Sequence, residues 1–316
     1  MSLTDSSRRA VGLCAALFIL AGCGGSQTAA APVRTALSVH PQISDKQTSD
    51  DLVYATSGTC GGICVFTYPK GTLKFKITVD GGAEGDCSDS AGNVFVTNNS
   101  QILEYAHGGT TPIATLTLPG INANSCAVDT ATENLAVCGF GGNSGGNVAV
   151  YLNATGKPTV YDSNLGAMYC GYDNHGNLFV SGLLNGSSAL SELPHGSSTF
   201  VPITLNGNPG GPGQVQWDGT YITLENLDNR NVSIARLRIS GSAASVVSKT
   251  NLKNPNRAGQ SWIVGNRVVL PYATKGASTN KIGTWRYPKN GKAVVKFGNF
   301  GQTNATTVIA VTVSHD

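Results

Sequence analysis

The chain has little charge. Asp, Glu, Lys and Arg make up 12% of its 316 residues, about half the usual ~25%. Twenty-one basic against eighteen acidic side chains leave a net +3. That offers no surplus to neutralise a phosphate backbone and argues against a nucleic-acid binder. The composition also argues against a coiled coil or helical bundle, which need Ala, Glu, Lys and Leu, and no run has the 3.6-residue periodicity of a surface helix. There is no G-x-x-x-x-G-K phosphate loop and no calcium loop of alternating Asp. What is present is 40% apolar residues, enough to bury a core and speak against disorder, and forty Gly.

Residues 1–22 read as an address. Arg8 and Arg9 precede an uncharged, mostly apolar run from Ala10 to Leu20. At eleven residues it is too short for the ~20 of a membrane span, but it suits a signal-peptide core. It ends in Leu20-Ala21-Gly22-Cys23, which resembles a bacterial lipobox. The resemblance implies that Cys23 is acylated (diacylglycerol and a fatty acyl chain such as palmitate) and becomes the new N-terminus. An ordinary secretory signal is the alternative. Gly24 rather than Asp follows the cysteine, which implies outer-membrane delivery if the host has such a membrane. Residues 23–50 are then a lipidated Cys and a flexible spacer, and 51–316 the folded domain.

That domain repeats at a period near 42 residues. One column is Asp, a turn and a hydrophobic strand: Asp89-SAGN-VFVT, Asp129-TATEN-LAVC, Asp173-NHGN-LFVS and Asp218-Gly219-TYIT, with Asp spacings of 40, 44 and 45. A fifth copy, Gly265-Asn266-RVVL, keeps the turn without the Asp. Asn and Gly in such turns tolerate positive φ, which is hairpin chemistry. A second column, strand–turn–Gly–strand, occurs six times, at Gly71, Gly108, Gly156, Gly196, Gly241 and Gly291. Each unit is four short strands, the signature of a β-propeller. The domain opens on Asp51-LVYATS, a second strand with no first. It closes on Thr307-VIAVTVS, a first strand with no second. Pairing the two gives an all-β, six-bladed propeller with four-stranded blades, its ring closed by the C-terminal strand in the first blade. A seventh blade would need ~40 further residues.

The repeat resembles the NHL and YVTN class of propeller, whose units end in patterns like D-x-x-G-N-x-Y-V. With Tyr68-Pro69-Lys70-Gly71 the chain also resembles bacterial lipoproteins carrying YPKG turns, a group that implies no activity.

Six cysteines follow Cys23: Cys60, Cys64, Cys87, Cys126, Cys138 and Cys170. An exported protein keeps disulfides, and six thiols fit three bridges in any of fifteen pairings. Cys60–Cys64, closing a Gly-rich loop, is the expected one. A metal clip or redox pair is the alternative, against which the C-x-x-x-C spacing counts.

His107, His175 and His195 occupy turns, and Glu104 and Glu192 read as solvated strand positions. Six-bladed lactonase-like propellers hold a divalent metal with Glu, Asn and Asp. Here the inner strands offer Asp86, Cys87, Ser88, Asn124, Ser125, Tyr169, Gln214 and Gln216, with one carboxylate. No catalytic residue, metal or cofactor is therefore assigned. The long, Asn-, Ser- and Gly-rich loops carry Glu225, Asp228, Arg230, Arg257 and Tyr272, a possible ligand-binding face. The expectation is a lipid-anchored, monomeric binding or scaffolding propeller of the bacterial cell envelope. Its partners would be the membrane, through its lipid, and an envelope glycan, peptide or protein, not nucleic acid. A metal-dependent lactonase or lyase is the alternative.

Overall fold

The computed structural model describes residues 50–98, 100–140, 147–227, 232–255, 257–273, 281–298, 300 and 308–316. The signal peptide, Cys23, the spacer to residue 49, Asp228 and Arg230 lie outside them.

The described strands form six four-stranded antiparallel meanders. The first contains β1 (Leu52–Ser57), β2 (Gly62–Thr67) and β3 (Leu73–Thr78). The second is β4 (Asp86–Ser88), β5 (Val94–Thr97), β6 (Gln101–Tyr105) and β7 (Ala114–Thr117). The third is β8 (Asn122–Val128), β9 (Leu135–Phe140), β10 (Asn147–Tyr151) and β11 (Thr159–Asp162). The fourth is β12 (Gly166–Tyr172), β13 (Leu178–Leu184), β14 (Ser187–Leu193) and β15 (Val201–Asn206). The fifth is β16 (Val215–Trp217), β17 (Ile222–Asn226), β18 (Ser233–Ser240) and β19 (Ala243–Lys253). In the sixth the first strand is split into β20 (Arg257–Ala258) and β21 (Trp262–Val264). It continues through β22 (Arg267–Ala273), β23 (Lys281–Arg286) and β25 (Val295–Phe297), while the short β24 (Gly291–Lys292) before β25 pairs in parallel with β19. The last strand, β26 (Val308–Ser314), pairs with β1, Leu52 opposite Ser314 and Ala55 opposite Val311. It is the missing first strand of the first meander, as expected.

Why the second strands are continuously apolar follows from their period of two. Six apolar clusters fill the seams between successive meanders. Val94 and Val96 pack with Tyr54 and Val65 in the seam of meanders one and two, whereas Phe95 between them packs with Leu135 and Val137 in the next. Ala136 and Cys138 face Leu178 and Val180, and Phe179 faces Leu224 and Ala235. Ile234 meets Val268 and Leu270. The sixth seam joins Val269 and Ile282 to Val53, Val308 and Val311. Each sheet thus buries both faces, and the series of seams returns to its start.

One connection was not foreseen. The outer strands β15 and β19 pair in parallel, Thr204 opposite Ala243, so meanders four and five form one sheet. At eleven residues β19 outruns β18 and also reaches β24.

Candidate binding site at the ring axis

The repeated Asp is a turn former. Asp89 Oδ1 accepts the amides of Ala91 (2.9 Å) and Asn93 (2.7 Å), while Oδ2 accepts Asn93 Nδ2 at 2.7 Å. Asp173 repeats this with His175 and Asn177. Asn177 Oδ1 then accepts the amide of His195 at 2.9 Å, tying one turn to the next. The copy without Asp is shorter: Val264 pairs directly with Arg267, leaving a two-residue turn that needs no side-chain acceptor. His107 Nδ1 lies 2.6 Å from Ser314 Oγ, so this turn histidine fastens the closing strand.

The inner strands are stitched to one another by side chains. Ser88 Oγ donates to the Val313 carbonyl (2.9 Å), and Asn124 Nδ2 to the Met168 carbonyl (3.2 Å). Cys170 N–H donates to Ser125 Oγ (3.2 Å), and Gln214 Nε2 to the Cys170 carbonyl (3.3 Å). Gln216 brackets Ile263 with Nε2 to its carbonyl (3.0 Å) and Oε1 from its amide (2.8 Å). Gln260 in the sixth meander donates Nε2 to the carbonyl of Asp86 in the second at 2.7 Å, past the first meander's inner strand. Side chains therefore occupy the axis at this level.

Two inner strands are bulged at equivalent places, between Ala123 and Ser125 and between Ala167 and Tyr169. The residue opposite each bulge is glycine. A Cβ on Gly139 would stand 1.9 Å from the Asn122 carbonyl, and one on Gly182 the same distance from that of Gly166. Bulges re-aim side chains; here Asn124, Met168 and Tyr169 are half-buried among fully buried neighbours.

Asp86, Gln214, Glu225 and Gln260 are all buried. Asp86 Oδ1 and Oδ2, Gln214 Oε1, Glu225 Oε1 and Gln260 Oε1 find no hydrogen-bond partner of good geometry. The other oxygen of Glu225 accepts Ser261 Oγ (2.9 Å) and the Ser261 amide (3.3 Å). Burial pushes Glu225 up to about 8, against those Ser261 bonds. Burial also holds Asp86 well above the carboxylate range, with the Thr56 amide opposing. Glu225 therefore keeps its proton at neutral pH, which removes a buried charge and turns a surplus acceptor into a donor. Among the described residues no group of three or more His, Cys, Asp and Glu is placed to hold a metal.

Several expectations need correction. Glu225 and Tyr272 are not loop-face groups: Glu225 is buried on β17, and Tyr272 on β22 packs edge-on to Trp285 at 5.3 Å between ring centres. Arg257 opens β20. The axis has two carboxyl groups, because Glu225 enters from a second strand. Gln260 was not singled out, although the Gly-Gln dipeptide recurs at Gly213 and Gly259. At both, a Cβ would stand 2.3 Å from a carbonyl oxygen. Glu104 and Glu192 are half-buried rather than solvated. Burial, and then the charges of Asp89 and Asp173 respectively, raise them. Cys60–Cys64 is a disulfide, as expected, and a second joins Cys87 to Cys126 across meanders two and three. Cys138 and Cys170 are thiols.

Where the first strands begin and the second strands end, the surface is partly apolar. Phe140 is 42% exposed and Leu184 47%; Leu183 beside it is exposed too. They flank the bulges, for Asn122 pairs with Phe140 and Gly166 with Leu183. Apolar side chains thus border a polar, half-buried centre.

No protein-family model matches the sequence, and no curated protein matches it. Solved structures do. A chain of a nidogen/laminin complex aligns with a TM-score of 0.62 at 13% identity, over 84% of this chain and 98% of that one. A Bacteroides caccae protein of unknown function aligns at 0.59 and 10%, over 85% and 100%. A putative TolB from Agrobacterium tumefaciens aligns at 0.54 and 11%, over 85% and 99%. At such identities the likeness speaks for the fold alone: with the meander order and the closing strand, it makes this chain a β-propeller.

Proposed function

We propose that the chain is a six-bladed propeller, each meander one blade, anchored by lipid at Cys23 in the bacterial cell envelope. There it binds or scaffolds a partner through the end of the ring that carries Phe140, Leu183, Leu184, Asn124 and Tyr169. The observation that carries this reading is the contrast in exposure. Asp86 and Glu225 are 0% and 1% exposed, so neither reaches a substrate as placed, while Phe140, Leu183 and Leu184 are open. Contacts of apolar side chains around a few fixed polar groups suit recognition of a glycan, peptide or protein surface. The lipobox at Leu20-Ala21-Gly22-Cys23 is consistent with this. Labelling cells with a palmitate analogue tests the anchor; label lost in Cys23→Ala supports it. Cross-link capture from an envelope fraction tests the face. A partner retained by the wild type and lost in the folded Leu183→Asp/Leu184→Asp double variant supports the reading, and equal capture by both removes it.

The unpartnered oxygens of Asp86, Gln214, Glu225 and Gln260 favour a second reading, a metal-dependent lactonase or lyase. Equilibrium dialysis of the purified protein with Ca²⁺ decides it. Binding below about a tenth of an equivalent ends it.

A further inference from the structure

The two cysteines left as thiols are not scattered. They lie in one seam cluster, both wholly buried; Ser125 pairs across the strands with Cys138, and its Oγ accepts the amide of Cys170 at 3.2 Å. Cys170 Sγ also lies 3.9 Å from Ser125 Oγ and from the Ala136 carbonyl. Cys138 is the fourth residue of β9, and the same position in the next two meanders is Ser181 on β13 and Glu225 on β17. Each of those reaches the inner strand of the following meander. Ser181 Oγ donates to the Gly213 carbonyl at 2.6 Å, and Glu225 Oε2 accepts Ser261 Oγ at 2.9 Å. The column is therefore a tie between neighbouring meanders, polar in two copies. In the third it sets Cys138 in the same buried seam as Cys170 of the following inner strand.

We infer that Cys138 and Cys170 are the site of a third disulfide, a covalent tie between meanders three and four. With Cys87–Cys126, between the inner strands β4 and β8, it links three consecutive meanders, this time from the second strand β9 to the inner strand β12. The inference rests on export to an oxidising compartment, part of the function proposed above. The step is thiol–disulfide exchange with a disulfide-bearing oxidant. One thiol loses its proton and attacks a sulfur of the oxidant, releasing half of it as a thiol. The second cysteine, deprotonated in turn, displaces the other half and forms the Cys138–Cys170 bond. Two electrons and two protons pass to the oxidant, which leaves as two thiols. Complete burial in the fold places this step during folding, before the seam closes.

Two samples of the full chain test it: one isolated directly from the envelope, and one reduced, unfolded and refolded in a glutathione redox buffer. Both are alkylated after unfolding and mapped as peptides without reduction. A linked Cys138–Cys170 peptide in the refolded sample, beside the other two bridges, is the expected result. Cys138→Ser, which places there the residue of the next meander, should then lower Tm by roughly 5–10 °C under oxidising conditions. If Cys60–Cys64 and Cys87–Cys126 form while Cys138 and Cys170 are alkylated, or pair elsewhere, the inference is overturned. Three bridges after refolding with six alkylated cysteines in the sample from cells would leave it standing. That result would refute the compartment instead.

Discussion

Arg236 Nε donates to Asp218 Oδ2 at 2.6 Å, and the same oxygen accepts the Tyr287 hydroxyl at 2.6 Å. The guanidinium also lies over the rings of Tyr221 and Tyr287, 5.5 and 5.2 Å from their centres. Asp218 is the turn Asp of the fifth meander and Tyr287 belongs to the sixth. A residue repeated for its turn chemistry has thus become the anchor between two units. Its side chain is fully buried, so removing it leaves the cation without its carboxylate and the hydroxyl without its charged acceptor, with only the 3.2 Å bond between Arg236 Nε and the Tyr287 hydroxyl remaining. Asp218→Ala should cost about 3 kcal/mol, read as a lower urea midpoint at unchanged slope. The equivalent Asp89→Ala, which loses only turn bonds, should cost about 1 kcal/mol.

The buried carboxyl of Glu225 makes stability depend on pH with a definite sign. In the unfolded chain this group ionises near 4.5, while in the fold it keeps its proton to about 8. Between those values the native state holds more protons, so each rise in pH favours unfolding. The contribution is complete below pH 4.5, falls through the window and is gone above 8. Its full size is on the order of 5 kcal/mol. Asp86 acts in the same direction. Glu225→Gln should flatten Tm between pH 5 and 8 and raise it at pH 8. A slope unchanged by the substitution would place the titration elsewhere.

The glycines opposite the two bulges leave no room for a side chain. In each, the contact is a backbone carbonyl 1.9 Å from the added Cβ, which cannot rotate away. Gly139→Ala and Gly182→Ala should each cost roughly 2–4 kcal/mol by forcing the bulge apart. Gly156→Ala, with nothing within 4 Å of the added Cβ but φ of +69°, should cost only about 1 kcal/mol. Thermal melts of the three variants compare backbone collision with backbone strain.

Much of this architecture was legible because its signals are local. Asp-x-x-Gly-Asn states a turn, and four apolar residues after it state a strand buried on both faces. The unmatched strands at the two ends stated the closure. What failed to show depends on distance. The pairing of β15 with β19 is set by how far β19 runs past its neighbour, and no local pattern encodes that. Glu225 reads as loop from sequence because Glu-Asn-Leu-Asp-Asn-Arg-Asn is polar. Yet its first two residues still pair, Glu225 with Ile234 and Asn226 with Ser233, and the next meander supplies Ser261. Gln260 carries no signal of its own reach, since its partner at Asp86 lies 174 residues away.

The closing strand offers the most direct test of the ring. Val308, Val311 and Val313 on β26 are fully buried, each contributing roughly 2 kcal/mol. Their sum rivals the 5–15 kcal/mol of a whole domain. Ser314 adds its contact to His107 and a bond to the Gly92 carbonyl, while Gln260 and Ile309 join the sixth meander to the first. Deleting residues 308–316 should therefore open the seam of meanders one and six, exposing Val53 and Val269 and the free edge of β1. The truncated chain should lose its cooperative melt and bind a hydrophobic dye. A synthetic peptide covering 306–316, added during refolding, should pair with β1 and restore the transition. The same peptide with Val311→Asp and Val313→Asp should not. A truncated chain that melts like the full-length protein would show that the ring is held shut by something other than its last strand.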